Sequence, residues 1–281
     1  MGTLVVCAAA CGLVRAEGDA GSPRWPSPGG AVLLPGTDLF SYLLADPRQS
    51  ATSATWQYEF RDDLNRSAVS FGDSFPLIRM SDLSWTGGAL QLDVEGGVFA
   101  TFDMESGSRD LVNADYTFAV PLTYRAGDFS SRLRWRHLSS HLGDEYLLNH
   151  DIERVNFTYE EVDVAVSREW DPWRLYAGVG YKYNVEPARY LRWDAEVGLE
   201  WRGPYFAGGL LRPVAGVHVM ADAERDWEPF QRAVAGLETA AARPGGPVIR
   251  FVIEGYNGRS FEGQFYESRV RWVGIGTQVD F

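Results

Sequence analysis

The sequence predicts an all-β protein, an antiparallel up-and-down transmembrane β-barrel of about 12 strands. The first observation is period-two alternation of apolar and polar side chains along runs such as 191–202 and 90–103. The second is the length of these runs, about ten to fourteen residues, whereas strands of soluble sheets usually have five or six. Strands that cross a membrane need about nine to eleven residues, with apolar side chains toward lipid and polar ones toward the lumen.

The alternation divides the chain from residue 54 onward into strands joined by polar connections. The expected strands are 54–62, 66–79, 89–103, 114–125, 128–140, 154–168, 173–184, 189–202, 206–220, 229–241, 247–258 and 266–281. Tight turns such as 171–172 and 203–204 alternate with longer polar connections such as 141–153, as in outer-membrane barrels. The last strand ends at Phe281, which resembles the terminal signature of bacterial outer-membrane proteins and predicts recognition by the outer-membrane assembly machinery.

The predicted barrel comprises residues 54–281, and the region before it divides into two parts. Residues 1–16 combine an apolar run with a small residue at the end, and this pattern predicts a signal peptide. Cys7 and Cys11 both lie in this segment, so the mature chain would hold no thiol for a disulfide, a nucleophile or a metal site. Residues 17–53 are rich in proline, glycine and serine, and we expect them to lie in the periplasm of a Gram-negative bacterium.

Charge narrows the classes of function. The formal net charge is -12, which argues against a nucleic-acid partner because phosphate binding needs a basic face. Alternation places arginines and carboxylates together on the lumen side of the strands, and unpaired charges in a narrow interior would be costly. We therefore expect a paired network in place of a wide conduction path, with a narrow channel as an alternative.

Several segments together resemble a bacterial outer-membrane family known only as domain of unknown function 1207. They are LFSYLLADPRQS, SFGDSFPLIRM, LVNADYTFAVPLTYRAGDFSSRLR, SSHLGDEYLLN, ERVNFTYE and EGYNGRSFEGQFY. The resemblance covers residues 38–281, and its most specific motif is SSHLGDE, residues 139–145. It implies an outer-membrane β-barrel and carries no established activity.

The stretch WRHLSSHLGDEYLLNH, residues 135–150, contains three of the four histidines. Alternation places His137 and Ser139 together on the lipid-facing side, near the outer rim. This arrangement resembles the His-x-Ser pair of outer-membrane phospholipases and lipid A deacylases. A catalytic serine needs an imidazole base and a third group that orients the base, and Asn156 on the next expected strand is the candidate for that third role. The Asn-Gly pair that follows the serine in the phospholipases is absent here.

A second interpretation of the same stretch is a ligand-binding loop. The candidate residues are Ser140, His141, Asp144, Glu145 and Asn149. Carboxylate and amide oxygens suit a divalent cation such as calcium, or they could contact lipopolysaccharide headgroups. Their spacing matches no defined metal loop, so no metal ligands are assigned and no cofactor is expected. In the simplest interpretation these side chains solvate a turn and satisfy backbone groups where the strand ends.

The sequence thus favours an integral outer-membrane barrel with a structural or lipid-interacting role in the envelope. Membrane lipid and lipopolysaccharide are the expected partners. The first alternative is an acyl hydrolase that acts on phospholipid or lipid A through His137 and Ser139.

Overall fold

A computed structural model describes residues 30–281 of the chain, except residues 84–85, 189, 191 and 244. The predicted signal peptide and the first residues of the expected periplasmic segment lie outside the described residues.

Antiparallel strands dominate the described chain. They are β1 (Ala31–Leu33), β2 (Thr52–Glu59), β3 (Leu64–Met80), β4 (Ala89–Asp103), β5 (Leu111–Ala126), β6 (Phe129–Leu142), β7 (Phe157–Trp170), β8 (Trp173–Glu186), β9 (Trp193–Arg202), β10 (Leu211–Asp222), β11 (Phe230–Thr239), β12 (Val248–Arg259) and β13 (Arg269–Asp280). One short helix, α1 (Asp144–Asn149), follows β6. Among the described residues, no helix is both long and apolar enough to span a membrane.

Strands β2 to β13 close into a barrel of 12 strands, which confirms the predicted fold. Each strand pairs with its neighbour in sequence, and β13 pairs with β2 from Trp272↔Glu59 to Val279↔Thr52 to complete the ring. Strand β1 is additional and pairs only with the end of β3. All twelve expected strands are present within a few residues of their expected bounds.

The connection between β9 and β10 differs from the expectation. Residues 203–204 were expected to form a tight turn, but β10 begins only at Leu211. A single helical turn, Ala207–Gly209, lies between the two strands, and Gly208 and Gly209 both have positive φ angles. Glycine adopts this backbone conformation without steric cost, so the chain can form a longer connection here.

Alternation sorts the side chains of the barrel as predicted. Apolar residues such as Val197 and Leu199 lie on the exposed outer wall, while Glu200, the next residue after Leu199, is buried in the lumen. The buried charges form pairs: Arg134 Nε lies 2.8 Å from Asp163 Oδ2, and Arg250 Nε lies 2.6 Å from Glu238 Oε2. The interior is therefore a network of paired charges.

The two ends of the barrel carry different connections, and we name them accordingly. The turn end carries the two-residue turns 127–128 and 171–172. The other connections of the turn end, 81–88, 203–210 and 240–247, have eight residues each, and the loop end carries the longer connections 143–156 and 260–268. Longer loops are typical of the outer face of an outer-membrane barrel, so the loop end corresponds to the predicted outer rim.

Residues 38–51, here called the plug, lie inside the barrel. Leu43 and Leu44 are fully buried, and Leu44 N–H donates to Glu200 Oε1 on the lumen wall at 2.7 Å. Deeper in the lumen, Arg48 forms an ion pair of 2.7 Å with Asp115. This part of the chain therefore differs from the expected periplasmic segment, because its apolar side chains find buried partners such as Val214 in the lumen.

The loop half of the lumen is filled by aromatic side chains. One cluster contains Leu138, Phe157, Tyr159, Val185, Tyr190 and Tyr266, and another contains Phe230, Tyr256 and Trp272. The connection 260–268 folds inward over them, and Gln264 donates hydrogen bonds to the backbone oxygens of Ser140 and Val155. The barrel is thus occupied in both halves, by the plug, which reaches from the turn end to Asp115 near the loop end, and by aromatic packing at the loop end.

Candidate functional site

Strand β6 places the sequence-predicted His-x-Ser pair on the outer wall. Side chains along this strand alternate between the outer wall and the buried lumen, so His137 and Ser139 face outward while Arg136 and Ser140 are buried. The register is regular on both sides of β6, with no bulge in its pairing to β5 or β7. A hydroxyl and an imidazole, the two groups that a serine hydrolase uses as nucleophile and base, are therefore neighbours on one face.

His137 is paired with a carboxylate on the next strand. Glu160 lies directly across from it on β7, and His137 Nδ1 lies 3.3 Å from Glu160 Oε1. The side chain of His137 is 39% exposed and that of Glu160 is 23% exposed. The other carboxylate oxygen of Glu160 is buried and has no hydrogen-bond partner among the described residues. An ionisable pair on a lipid-facing wall is costly, and such residues in membrane proteins usually serve a function.

The pairing fixes the orientation of the imidazole. If Nδ1 carries the proton and donates it to Glu160, then Nε2 is an acceptor that is turned away from the carboxylate. A neutral imidazole with a free Nε2 is the form that can take a proton from a serine hydroxyl. Ser139 lies two residues along the same face, between Tyr116 of β5 and Thr158 of β7.

Aromatic side chains surround the pair at this depth of the wall. Trp135 Nε1 donates to the hydroxyl of Tyr183 at 2.7 Å, and Tyr183 is the cross-strand neighbour of Glu160. The Phe118 ring lies edge-on to Trp135, with ring centroids 6.2 Å apart. Tyrosine and tryptophan are enriched where hydrocarbon meets headgroups, so the site lies near an expected membrane interface.

Asn156 is not brought to His137. It precedes the first residue of β7 and lies four positions before Glu160, which occupies the place across from the imidazole. The pairing register therefore places Glu160, and not Asn156, across from the imidazole. Sequence reasoning missed Glu160 because the register between two strands separated by a loop of 14 residues, 143–156, depends on the structure of that loop.

Ser140 has a structural environment in the lumen. Its hydroxyl donates to Asn113 Oδ1 at 3.1 Å, and its backbone oxygen accepts a hydrogen bond from Gln264. A Cβ added to Gly263 would lie 2.5 Å from Ser140 Cβ, so the inward-folded connection packs tightly against this residue. Ser140 thus anchors the connection that covers the lumen.

His141 lies on β6 with its side chain exposed, and the other loop candidates lie on α1 at the loop end. Asp144 and Glu145 form its exposed first turn, and Asn149 near its end donates to Asp110 Oδ2 at 2.9 Å. Hydrogen bonds from Ser108 and Asn149 lower the pKa of Asp110. Asn149 therefore links α1 to the neighbouring connection 104–110. Within the described part of the chain, no group of three or more histidine, cysteine, aspartate or glutamate side chains is arranged to hold a metal ion.

The fold and the wall site define a class: a closed antiparallel barrel, with an apolar outer wall like that of outer-membrane proteins and a polar serine-imidazole-carboxylate row on that wall. The particular family follows from the sequence. Residues 29–281 match the model of a family described as "Protein of unknown function (DUF1207)", and the chain belongs to this family. A search of curated proteins finds no match.

Two solved structures that are similar to this fold are outer-membrane phospholipases. The outer membrane phospholipase A of Escherichia coli superposes with a TM-score of 0.56 at 12% identity, covering 84% of this chain and 93% of that one. The outer membrane phospholipase dimer of Salmonella typhi, solved with bound calcium, gives the same TM-score, identity and coverage. At this identity the similarity establishes the fold alone.

Proposed function

We propose that this protein is located in the bacterial outer membrane and hydrolyses an acyl ester of an envelope lipid at its outer wall. Ser139 is the nucleophile, His137 is the general base and Glu160 orients the imidazole. The observation that carries the proposal is the contact between His137 Nδ1 and Glu160 Oε1 on the lipid-facing wall, with Ser139 beside it.

The chemistry requires the three residue types in this arrangement. A serine hydroxyl is a weak nucleophile until a neighbouring imidazole accepts its proton. The carboxylate holds the imidazole in the productive tautomer and stabilises the imidazolium that forms. The triad is recognised by geometry, so the absence of the Asn-Gly pair of the phospholipases leaves the roles of Ser139, His137 and Glu160 intact.

The depth of the site suits the ester of a lipid. Ser139 lies three residues before the end of β6, which corresponds to about 7 to 10 Å of strand below the rim. Exposed apolar side chains such as Leu133 and Val162 continue down the wall from it. An acyl chain can lie along this wall while its ester reaches Ser139 and its headgroup remains at the loop end.

The second candidate function is a structural, lipid-interacting barrel without catalysis. It is favoured by the filled lumen, because a barrel with the plug at one end and aromatic clusters at the other offers its outer wall as the main surface for interaction. In this case membrane lipid and lipopolysaccharide are its partners, and the terminal strand at Phe281 serves recognition by the assembly machinery. A narrow channel is disfavoured by the same filling.

The decisive experiment measures fatty acid release by the purified, folded full chain. Phospholipid vesicles and purified lipid A are offered separately, with calcium and protein concentration varied, because the Salmonella typhi phospholipase is a dimer with bound calcium. Ser139→Ala and His137→Ala should each reduce the rate at least about 1,000-fold, because nucleophile and base act as a unit. Glu160→Gln should also reduce it strongly, because an amide N–H in place of the carboxylate holds the imidazole in the wrong tautomer.

Ser131→Ala is the matched control, because Ser131 lies on the outward face of the same strand, eight residues toward the turn end. It should retain the full rate. Lipid hydrolysis that survives Ser139→Ala would refute the proposed site. No release from either lipid under any condition would leave the structural candidate.

A further inference from the structure

His141 continues the polar row on the outer wall beyond Ser139. It lies two residues further along β6, on the same face, and is paired across the sheet with Ala114. The sequence His137-x-Ser139-x-His141 therefore places an imidazole on each side of the serine. Neither the proposed base nor its orienting carboxylate uses the second imidazole.

The two imidazoles differ in their surroundings. His137 is held by Glu160, whereas no hydrogen bond connects the ring of His141 to any residue in the described ranges. The His141 ring lies edge-on against Tyr116, with ring centroids 5.6 Å apart at 74°. Tyr116 thus positions the ring beside Ser139 without occupying either of its nitrogens, which remain available to a ligand.

The spacing places a substrate carbonyl between the two rings. Same-face neighbours on a strand are about 6.4 to 6.8 Å apart, so His137 and His141 flank Ser139 at similar distances on opposite sides. When the base withdraws the proton on one side, the ester oxygen can point to the other side, toward the rim. A histidine side chain is long enough to cover most of the distance between same-face neighbours, so the His141 ring can approach the carbonyl oxygen.

Two side-chain donors and the backbone N–H groups close to Ser139 are engaged elsewhere. Thr158, its cross-strand neighbour, donates its hydroxyl to the backbone oxygen of Leu138 at 2.8 Å. Ser140 faces the lumen, where it donates to Asn113. The strand β6 is paired on both sides through this region, so its backbone N–H groups serve the ladders with β5 and β7. Among the described residues on this face, the His141 ring N–H and the Tyr116 hydroxyl are donors without a hydrogen-bond partner, and His141 is the one that lies two residues along the same strand from Ser139.

We infer that His141 is a further catalytic residue, the donor that stabilises the oxyanion formed when Ser139 attacks the ester; this inference rests on the proposed function. Ser139 Oγ bonds to the carbonyl carbon as its proton passes to His137 Nε2, and the carbonyl π electrons move onto the oxygen. That oxyanion accepts a hydrogen bond from His141 N–H. The intermediate collapses to acyl-Ser139, and His137 returns the proton to the departing alcohol. Water, activated by His137, then releases the fatty acid.

The test compares His141→Ala, His141→Gln and the unchanged protein with p-nitrophenyl palmitate in detergent micelles as the substrate. Loss of one oxyanion donor typically costs about 100- to 1,000-fold in kcat. We expect His141→Ala to lower kcat by about 100-fold or more with KM changed less than about twofold, because the donor acts on charge that develops only in the transition state. His141→Gln should recover part of kcat, because its amide keeps an N–H donor.

His150→Ala is the matched control, since His150 lies at the same rim, where it stacks on Tyr146 and contacts the backbone oxygen of that residue. It should behave like the unchanged protein. Full kcat in His141→Ala, or a change confined to KM, would overturn the inference while Ser139-dependent turnover keeps the proposed function. Absence of both turnover and Ser139-dependent labelling by a fluorophosphonate probe in the unchanged protein would overturn the proposed function, and this inference with it.

Discussion

At the scale of single residues, Gly143 shows how close the chain packs where β6 ends. A Cβ built at this position would lie 1.7 Å from the backbone oxygen of Leu111, although the φ angle of -68° is ordinary for any residue. The constraint is therefore steric, and it explains why glycine stands between the strand that carries the wall site and helix α1.

Replacing Gly143 with alanine should destabilise the barrel by about 3 kcal/mol or more, because the backbone around Leu111 must move to make room. The measurement is the urea midpoint of unfolding in detergent, followed by the gel shift of the folded form. Gly107→Ala is the control, since a Cβ there meets no atom within 4 Å in the loop of residues 104–110. An unchanged midpoint for Gly143→Ala would contradict the packing described here.

The residue scale also shows what the sequence could and could not predict at the site. Strand alternation alone predicted that His137 and Ser139 share the outer wall, and the structure agrees. The orienting group could not be found in this way, because alternation gives the face of a residue and leaves the register with the next strand undetermined. The two-residue turn 171–172 fixes β7 against β8, whereas the pairing of β7 with β6 is set by the loop 143–156 at the other end of the strand.

At the scale of elements, the plug was the least predictable part of the fold. Its composition indicated an exposed segment, and its short apolar stretch 39–44 gave no direction in which to place it. Burial in the lumen depends on many small contacts with non-neighbouring strands, such as Leu44 with Glu200 and Arg48 with Asp115. Contacts of this kind form only when the barrel closes around the plug, and local sequence patterns do not predict them.

A designed disulfide tests where the plug lies. The Cβ of Ala45 lies 3.5 Å from an ideal Cβ at Gly216, within the range that disulfides span. In a background where Cys7 and Cys11 are serine, the pair Ala45→Cys and Gly216→Cys should form an intramolecular bond in the folded barrel. The readout is the faster migration of the unreduced, unfolded chain on a gel, together with loss of free thiols.

Ala45→Cys combined with Ala215→Cys is the control, because Ala215 neighbours Gly216 on the same strand and alternation turns it to the other face. This pair should keep its thiols in the folded protein. Equal cross-linking of both pairs, or of neither, would mean that the plug does not occupy the lumen beside β10.

At the scale of the whole molecule, the interior of the barrel is occupied, and the polar row of His137, Ser139 and Glu160 lies on its outer wall. The sequence predicts a network of paired charges in place of a wide conduction path, and the structure adds two physical obstructions. They are the plug, which reaches from the turn end to Asp115 near the loop end, and the aromatic clusters in the loop half. A barrel closed in this way is a rigid support for its wall, and rigid strands hold a reactive row more accurately than loops do.

The closed interior predicts that the protein does not conduct ions. Purified protein in planar bilayers should show no steady conductance, and replacing residues 38–51 with a flexible glycine-serine linker should leave it silent. The reason is that Tyr266 of the inward-folded connection 260–268 still packs against Phe157 and Tyr190 in the loop half when the plug is removed. A gel shift on heating confirms that each protein tested is folded. Steady openings of the linker variant alone would show that the plug by itself closes a continuous path, and openings of the unchanged protein would show that neither obstruction is complete.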